Sequence, residues 1–175
     1  GMTVFSKLNE DTLGVIGEFL SYKDFRKLCL TSKEINRETQ KIKFLTLNKK
    51  YSLKFYEDIK FNTKVRSSIT DLKKQLSLDL NWCGDLNDLS DVRALGGVHT
   101  LDLSYCSNIS DVSSFSGVHT LNLRGCYKVT DVSALGGVHT LNLMNCVNIR
   151  DVKALGGVHT LVLSHCIYVT DVRAL

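Results

Sequence analysis

The stretch VHTLDLSYC at residues 98–106 decides how the chain is read, because it returns as VHTLNLRGC at 118–126, VHTLNLMNC at 138–146 and VHTLVLSHC at 158–166. The period is 20 residues. From Leu101 each unit follows L-x-L-x-x-C-x-x-[IV]-x-D-V-x-x-[LF]-x-G-V-H-T, and the last copy runs as far as Leu175. An earlier unit opens at Leu78, with Leu80, Cys83, Leu86, Asp91 and Val92 in place, and takes 23 residues to reach Leu101. Its extra residues fall in the segment Asp85 to Ser90, read as a loop. Self-similarity at so short a period marks an architecture in which each unit buries its apolar edge only against its neighbours.

Within a unit, Leu101, Asp102, Leu103 and Ser104 alternate apolar and polar, which predicts a short strand with the leucines facing in. Asp111, Asp131, Asp151 and Asp171 each precede a V-x-x-[LF] step, where a carboxylate can cap one helical turn by accepting backbone N–H groups. Gly97, Gly117, Gly137 and Gly157 stand just before each strand, at a turn expected to require positive φ. Stacked units of strand, turn and helical arc predict a parallel sheet along one side of a solenoid.

The motif L-x-x-L-x-L-x-x-[N/C], met here from Val98 to Cys106, resembles the leucine-rich repeat, and the continuation Cys106, Ile109, Asp111 resembles its cysteine-containing class. The resemblance covers residues 78–175. Cys83, Cys106, Cys126, Cys146 and Cys166 then occupy the inward position of that family and are expected as reduced, buried thiols. The spacing of neighbouring strands would not by itself forbid disulfides. His99, His119, His139 and His159 form a ladder that duplication explains, and no metal site or cofactor is expected from it. Thr100, Thr120, Thr140 and Thr160 open the face of the sheet opposite the leucines.

Subtracting the fixed scaffold leaves the positions that differ between copies. They are Asp102, Asn122, Asn142 and Val162; Ser104, Arg124, Met144 and Ser164; and Tyr105, Gly125, Asn145 and His165. The first unit has Asp79, Asn81 and Trp82 there. A strip mixing an aromatic, Arg, Met and amides has the composition of a protein-binding surface. The candidate target-binding residues are therefore Trp82, Asp102, Ser104, Tyr105, Asn122, Arg124, Asn142, Met144, Asn145 and His165. The competing reading is drift at exposed positions after duplication.

Residues 8 to 40 carry helical spacing. Leu13, Ile16, Phe19 and Leu20 form one stripe and Phe25, Leu28 and Cys29 another, while Ser21-x-x-Asp24 and Thr31-x-x-Glu34 read as capping boxes. This order of residues resembles the F-box, a three-helix module of about 40 residues that docks on the adaptor subunit of cullin-RING ubiquitin ligases. The resemblance implies that Leu8, Leu13, Ile16, Phe19, Leu20 and Leu28 divide between the module's core and the adaptor groove. A plain cap on the first unit is the competing reading. Near-identical repeats beside such a module also resemble proteins encoded by large DNA viruses.

Residues 41–77 read as irregular capping coils. Phe44 to Leu47 alternates like a first strand, Tyr51, Leu53, Phe55, Tyr56, Ile59 and Phe61 are expected mostly in the core, and Ile69, Asp71 and Leu72 echo the later I-x-D-V step. Charge divides the chain: residues 1–77 hold 16 basic against 9 acidic side chains, net +7, and residues 78–175 hold 6 against 9, net −3. Aromatics interleaved with lysines could stack bases, but no nucleic-acid motif accompanies them, and a lysine-rich solvated face is the expected reading.

No phosphate-cradling glycine loop, H-E-x-x-H, G-x-S-x-G or C-x-x-C occurs, so the expectation is a protein that is not an enzyme. No apolar run of membrane length and no signal-peptide core is present, pointing to a cytoplasmic or nuclear protein with reduced cysteines. The fold class expected is α/β, with an F-box-like module over 2–40 and leucine-rich repeats over 78–175. The function expected is that of the substrate-recognition subunit of an F-box type ubiquitin ligase. Its partners would be the ligase adaptor and an unknown target protein, with neither membrane nor nucleic acid. The alternative is an interaction scaffold without a ubiquitin role, self-associating through the open strand edge of the last unit.

Overall fold

The computed structural model describes residues 45–67, 76–84 and 95–175, and these form a mixed α/β structure around a six-stranded parallel sheet. The strands are β1 (Leu45–Leu47), β2 (Leu76–Asp79), β3 (Thr100–Asp102), β4 (Thr120–Asn122), β5 (Thr140–Asn142) and β6 (Thr160–Val162). They lie side by side in sequence order. Leu78, Leu101, Leu121, Leu141 and Leu161 are successive register partners, so the sheet advances one repeat per strand. No described helix is long and apolar enough to cross a membrane.

The alternation dictates what is buried. Leu101, Leu103, Leu121, Leu123, Leu141 and Leu143 are all inaccessible, and Val112, Phe115, Val132, Leu135, Val152 and Leu155 meet them from the return path. Burying each such side chain contributes about 1.5–3 kcal/mol. The expected helical arc is a short 3-10 turn at Ser113–Phe115, Ser133–Gly137 and Lys153–Gly157. Each starts where an aspartate accepts a backbone N–H: Asp111 from Ser113 at 2.9 Å, Asp131 from Ser133 at 2.8 Å and Asp151 from Lys153 at 2.9 Å.

Positive φ does not account for the glycines before the strands. Only Gly97 among them has it, at +79°. A Cβ on Gly157 would lie 2.8 Å from the Gly136 carbonyl oxygen, and one on Gly136 would collide with the Ala154 carbonyl oxygen. The absent side chain lets successive return paths touch backbone to backbone.

The expectation of irregular coils over 41–77 is corrected for its described part. The sheet does begin at Leu45, in the stretch read as a first strand, but β1 is followed by two nine-residue helices, α1 (Lys49–Glu57) and α2 (Ile59–Ser67). Both are started by caps that hydrophobic spacing does not reveal. Asn48 Oδ1 accepts the Tyr51 N–H at 3.3 Å, and Asp58 Oδ1 accepts those of Lys60 and Phe61 at 3.0 Å. Buried Ser52 ties α1 to the sheet, donating to the Leu47 carbonyl at 2.8 Å and accepting the Asp79 N–H at 2.9 Å. Phe55 and Phe61 are buried, whereas Ile59 is 75% exposed, against expectation. The basic side chains lie across these rings: Lys50 over Tyr51, Lys54 over Phe61 and Arg66 over Phe55.

The module expected over 2–40 lies outside the described residues, and with it Leu8, Leu13, Ile16, Phe19, Leu20 and Leu28. So do Phe44, Ile69, Asp71, Leu72, Leu86, Asp91 and Val92. At the other end β6 pairs only with β5. Val158, Leu161 and Leu163 are half-buried where their counterparts in earlier units are fully buried, and Val172 and Leu175 are exposed.

Candidate functional site: the sheet face and its left-handed edge

The candidate target-binding residues separate into turn-formers and a true surface. Asp102 Oδ1 accepts the Ser104 N–H at 2.8 Å, Asn122 Oδ1 that of Arg124 at 3.1 Å, and Asn142 Oδ1 that of Met144 at 3.0 Å. Asp79 does the same for Asn81 at 3.2 Å. An Asp or Asn that takes the N–H two residues on competes with the ladder and ends the strand. Asp102, Asn122 and Asn142 are therefore half-buried scaffold rather than free recognition groups, and Ser104 is buried. Val162 stands where the last unit has no such acceptor.

Tyr105, Asn145 and His165 are not outward strand positions as expected. With Trp82 they hold φ of 60°, 62°, 62° and 55°, and Gly125 completes the row at 70°. The residue before each cysteine thus turns the chain in the left-handed region, which glycine enters freely, asparagine tolerates and other residues enter at a cost of about 1–2 kcal/mol. The cysteine that follows closes the turn: Cys106 N–H donates to the Leu103 carbonyl at 3.1 Å and Cys126 N–H to that of Leu123 at 3.0 Å.

This geometry brings three of the candidates together. Trp82, 66% exposed, stacks on Tyr105 with ring centroids 4.1 Å apart and planes inclined by 15°. The Tyr105 ring lies over Gly125, where a Cβ would stand 2.6 Å from Cδ1, so Gly125 is required for space as well as for its backbone angle. Arg124 holds its guanidinium carbon 5.4 Å from the Tyr105 centroid. Among the described residues its buried Nε has no hydrogen-bond partner and its side chain no ion pair. Asp79 and Asp102, partners in register on β2 and β3, likewise form no ion pair among the described residues. Met144 is half-buried one strand beyond Arg124, while Asn145 and His165 continue the row away from the aromatic pair.

No protein-family model matches the chain, and no curated protein is significantly similar to it.

The other two ladders are structural. The five described cysteines are buried and form no disulfide. Each thiol from Cys106 onward donates to a carbonyl of the preceding unit: Cys106 to Leu80 at 3.1 Å, Cys126 to Leu103 at 3.2 Å, Cys146 to Leu123 and Cys166 to Leu143 at 3.0 Å. Burial pushes the Cys106 thiol up to about 11 and that of Cys146 to about 12, and raises Cys126 and Cys166 as well. Thiols so raised are poor nucleophiles. The imidazoles of His99, His119, His139 and His159 stack with centroids 4.6, 4.5 and 4.7 Å apart. Nδ1 of His99, His119 and His139 pairs with the Oγ1 of the threonine that follows, at 2.9, 3.2 and 3.3 Å. Burial and the adjacent imidazoles lower the affinity of His99 and His139 for protons. No group of three or more His, Cys, Asp or Glu among the described residues is placed to hold a metal.

Two contributors, Gly125 and Asp79, stand among the positions that vary between copies but not among the candidate target-binding residues. Gly125 interrupts a row otherwise filled by Trp, Tyr, Asn and His. That lone glycine was the available sign that a neighbour's side chain crosses the position.

Proposed function

We propose that the protein is a non-catalytic recognition subunit, a leucine-rich-repeat solenoid that presents its sheet face to a target protein while an F-box-like segment over 2–40 docks on a ligase adaptor. The observation supporting the recognition half is the exposed Trp82–Tyr105 stack beside an unpaired Arg124. Aromatic and arginine anchors of this kind dominate binding energy in protein interfaces. The raised, protonated thiols suit a reducing compartment, cytoplasmic or nuclear. The adaptor half rests on the residue pattern from Leu8 to Lys33. Catalysis would lie elsewhere in the assembly, and this chain would act by raising the effective concentration of target near the transferring subunit.

Titration of the full chain with the ligase adaptor tests the adaptor half. Binding at micromolar concentration is expected, weakened at least about tenfold by Phe19→Ala or Leu20→Ala at hot-spot magnitudes. Absence of binding, or binding indifferent to both substitutions, would refute it.

A further inference from the structure

Arg124 is a cation that the protein holds in place without giving it an anion. Its N–H is fixed by Asn122 Oδ1 at 3.1 Å and its carbonyl by the Tyr105 N–H at 2.6 Å. The guanidinium rests over the Tyr105 ring, while Nε is buried with no acceptor. Arginine stays charged at every physiological pH, and a buried donor left unpaired is unfavourable. Asp102, the carboxylate on the adjacent strand, does not relieve this. Its Oδ1 takes the Ser104 N–H at 2.8 Å and its Oδ2 the Asn122 amide at 3.2 Å. On the far side the amide nitrogen of Asn142 and the side chain of Asn145 make no hydrogen bond among the described residues, leaving two further donors on that flank. The open indole of Trp82 lies two units from Arg124.

We propose that Arg124 seats a carboxylate of an extended partner peptide whose flat apolar side chain packs on Trp82. This rests on the sheet face being a recognition surface and adds its chemistry. The terminal nitrogens of a guanidinium donate to a carboxylate through paired N–H···O bonds, and tyrosine on one side keeps the group from collapsing onto the sheet. Two strand spacings separate the units of Trp82 and Arg124, roughly 10 Å, which an extended peptide covers in about three residues. The motif is thus a flat apolar residue and an acidic group three positions apart. Asp79 and Asp102 oppose such a ligand by charge and would favour a basic one, so the sign of the charge preference decides the proposal.

The chain's single tryptophan supplies the readout. The full chain is titrated, with Trp82 emission recorded, against terminally blocked Ala-Tyr-Ala-Ala-Glu-Ala and its Glu-to-Gln and Glu-to-Lys versions. Blocked-amine Ala-Tyr-Ala-Ala with a free terminal carboxylate distinguishes a side-chain source from a chain end. Saturable binding of the glutamate or the carboxylate-ended peptide is expected, with the glutamine and lysine versions about tenfold weaker. Arg124→Gln is expected to abolish that preference, Arg124→Lys to keep part of it, and Asp102→Asn, which retains the acceptor for Ser104, to strengthen binding about threefold by removing a like charge. Unchanged far-UV dichroism of the variants separates loss of the seat from loss of the fold. Preference for the lysine peptide, weakening by Asp102→Asn, indifference to Arg124→Gln, or no saturation with any peptide would overturn the proposal. Adaptor binding through 2–40 is read separately and stands or falls without it.

Discussion

Gly125→Ala is the substitution through which local backbone geometry and the candidate site can be weighed together. The new Cβ would stand 2.6 Å from Cδ1 and 2.9 Å from Cε1 of Tyr105, so the ring must move. Moving it loosens the stack on Trp82, worth about 0.5–1.5 kcal/mol, and the contact with Arg124, worth about 0.5–1 kcal/mol. Independently, alanine at φ of 70° pays about 1–2 kcal/mol for a left-handed backbone. The sum is roughly 2–4.5 kcal/mol, a large fraction of the stability of a marginal domain. The two parts are separable because only one involves Tyr105. In a Tyr105→Ala background the backbone part remains and the steric part vanishes, so the double-mutant cycle should show a coupling of about 1–2 kcal/mol. Urea unfolding followed by Trp82 emission and by far-UV dichroism measures all four corners, and coincidence of the two probes checks that the units unfold together. A cycle that closes additively, within about 0.5 kcal/mol, would refute the contact on which the site is built.

Other perturbations test other parts of the structure. Val162→Asn should stabilise by about 0.5–1 kcal/mol, because it supplies the turn acceptor that Asp102, Asn122 and Asn142 give their own units, and Asn122→Ala should cost about 1 kcal/mol; thermal unfolding checks both. Leu143→Ala, in the core, should destabilise by about 2–5 kcal/mol in the same assay. His99 and His139 bind protons less readily folded than unfolded, so the unfolded chain holds more protons below the ordinary value of 6.5. Stability should therefore be level above that pH and decline as pH falls through it, a decline that replacing both histidines with Gln removes. Asp131 and Asp171, held low by hydrogen bonds, with Asp171 at about 2, add a second decline below the ordinary 3.8. The buried thiols should react with a disulfide reagent only on unfolding, which a thiol titration with and without urea would show.

The repeat made the sheet legible before any coordinates. Leu101 and Leu103 recur at constant spacing, and a strand whose side chains alternate can bury both only in one register. The aspartates at 111, 131 and 151 were legible for the same reason, since a fixed carboxylate before an apolar step has one local use. Helices α1 and α2 were obscured by their composition: lysines lying over Tyr51 and Phe61 blur the apolar stripe, and the capping residues Asn48 and Asp58 stand outside it. In the candidate site, variation between copies was read as recognition. For Asp102, Asn122 and Asn142 it reflects only that two residue types accept the same N–H group. The left-handed row was hidden because Trp82 and Tyr105 are residues that propensity does not place there. A backbone imposed by stacking overrode the local preference.

All of this depends on units paired one repeat apart, and nuclear Overhauser contacts between backbone protons read that pairing directly. Cross-strand contacts should join Leu103 to Asn122, Leu123 to Asn142 and Leu143 to Val162, the pairs whose N–H and carbonyl groups meet at 2.9, 2.9 and 2.8 Å. Contacts displaced by one residue would turn every leucine to the opposite face, and either that shift or the absence of a ladder would contradict the structure described here.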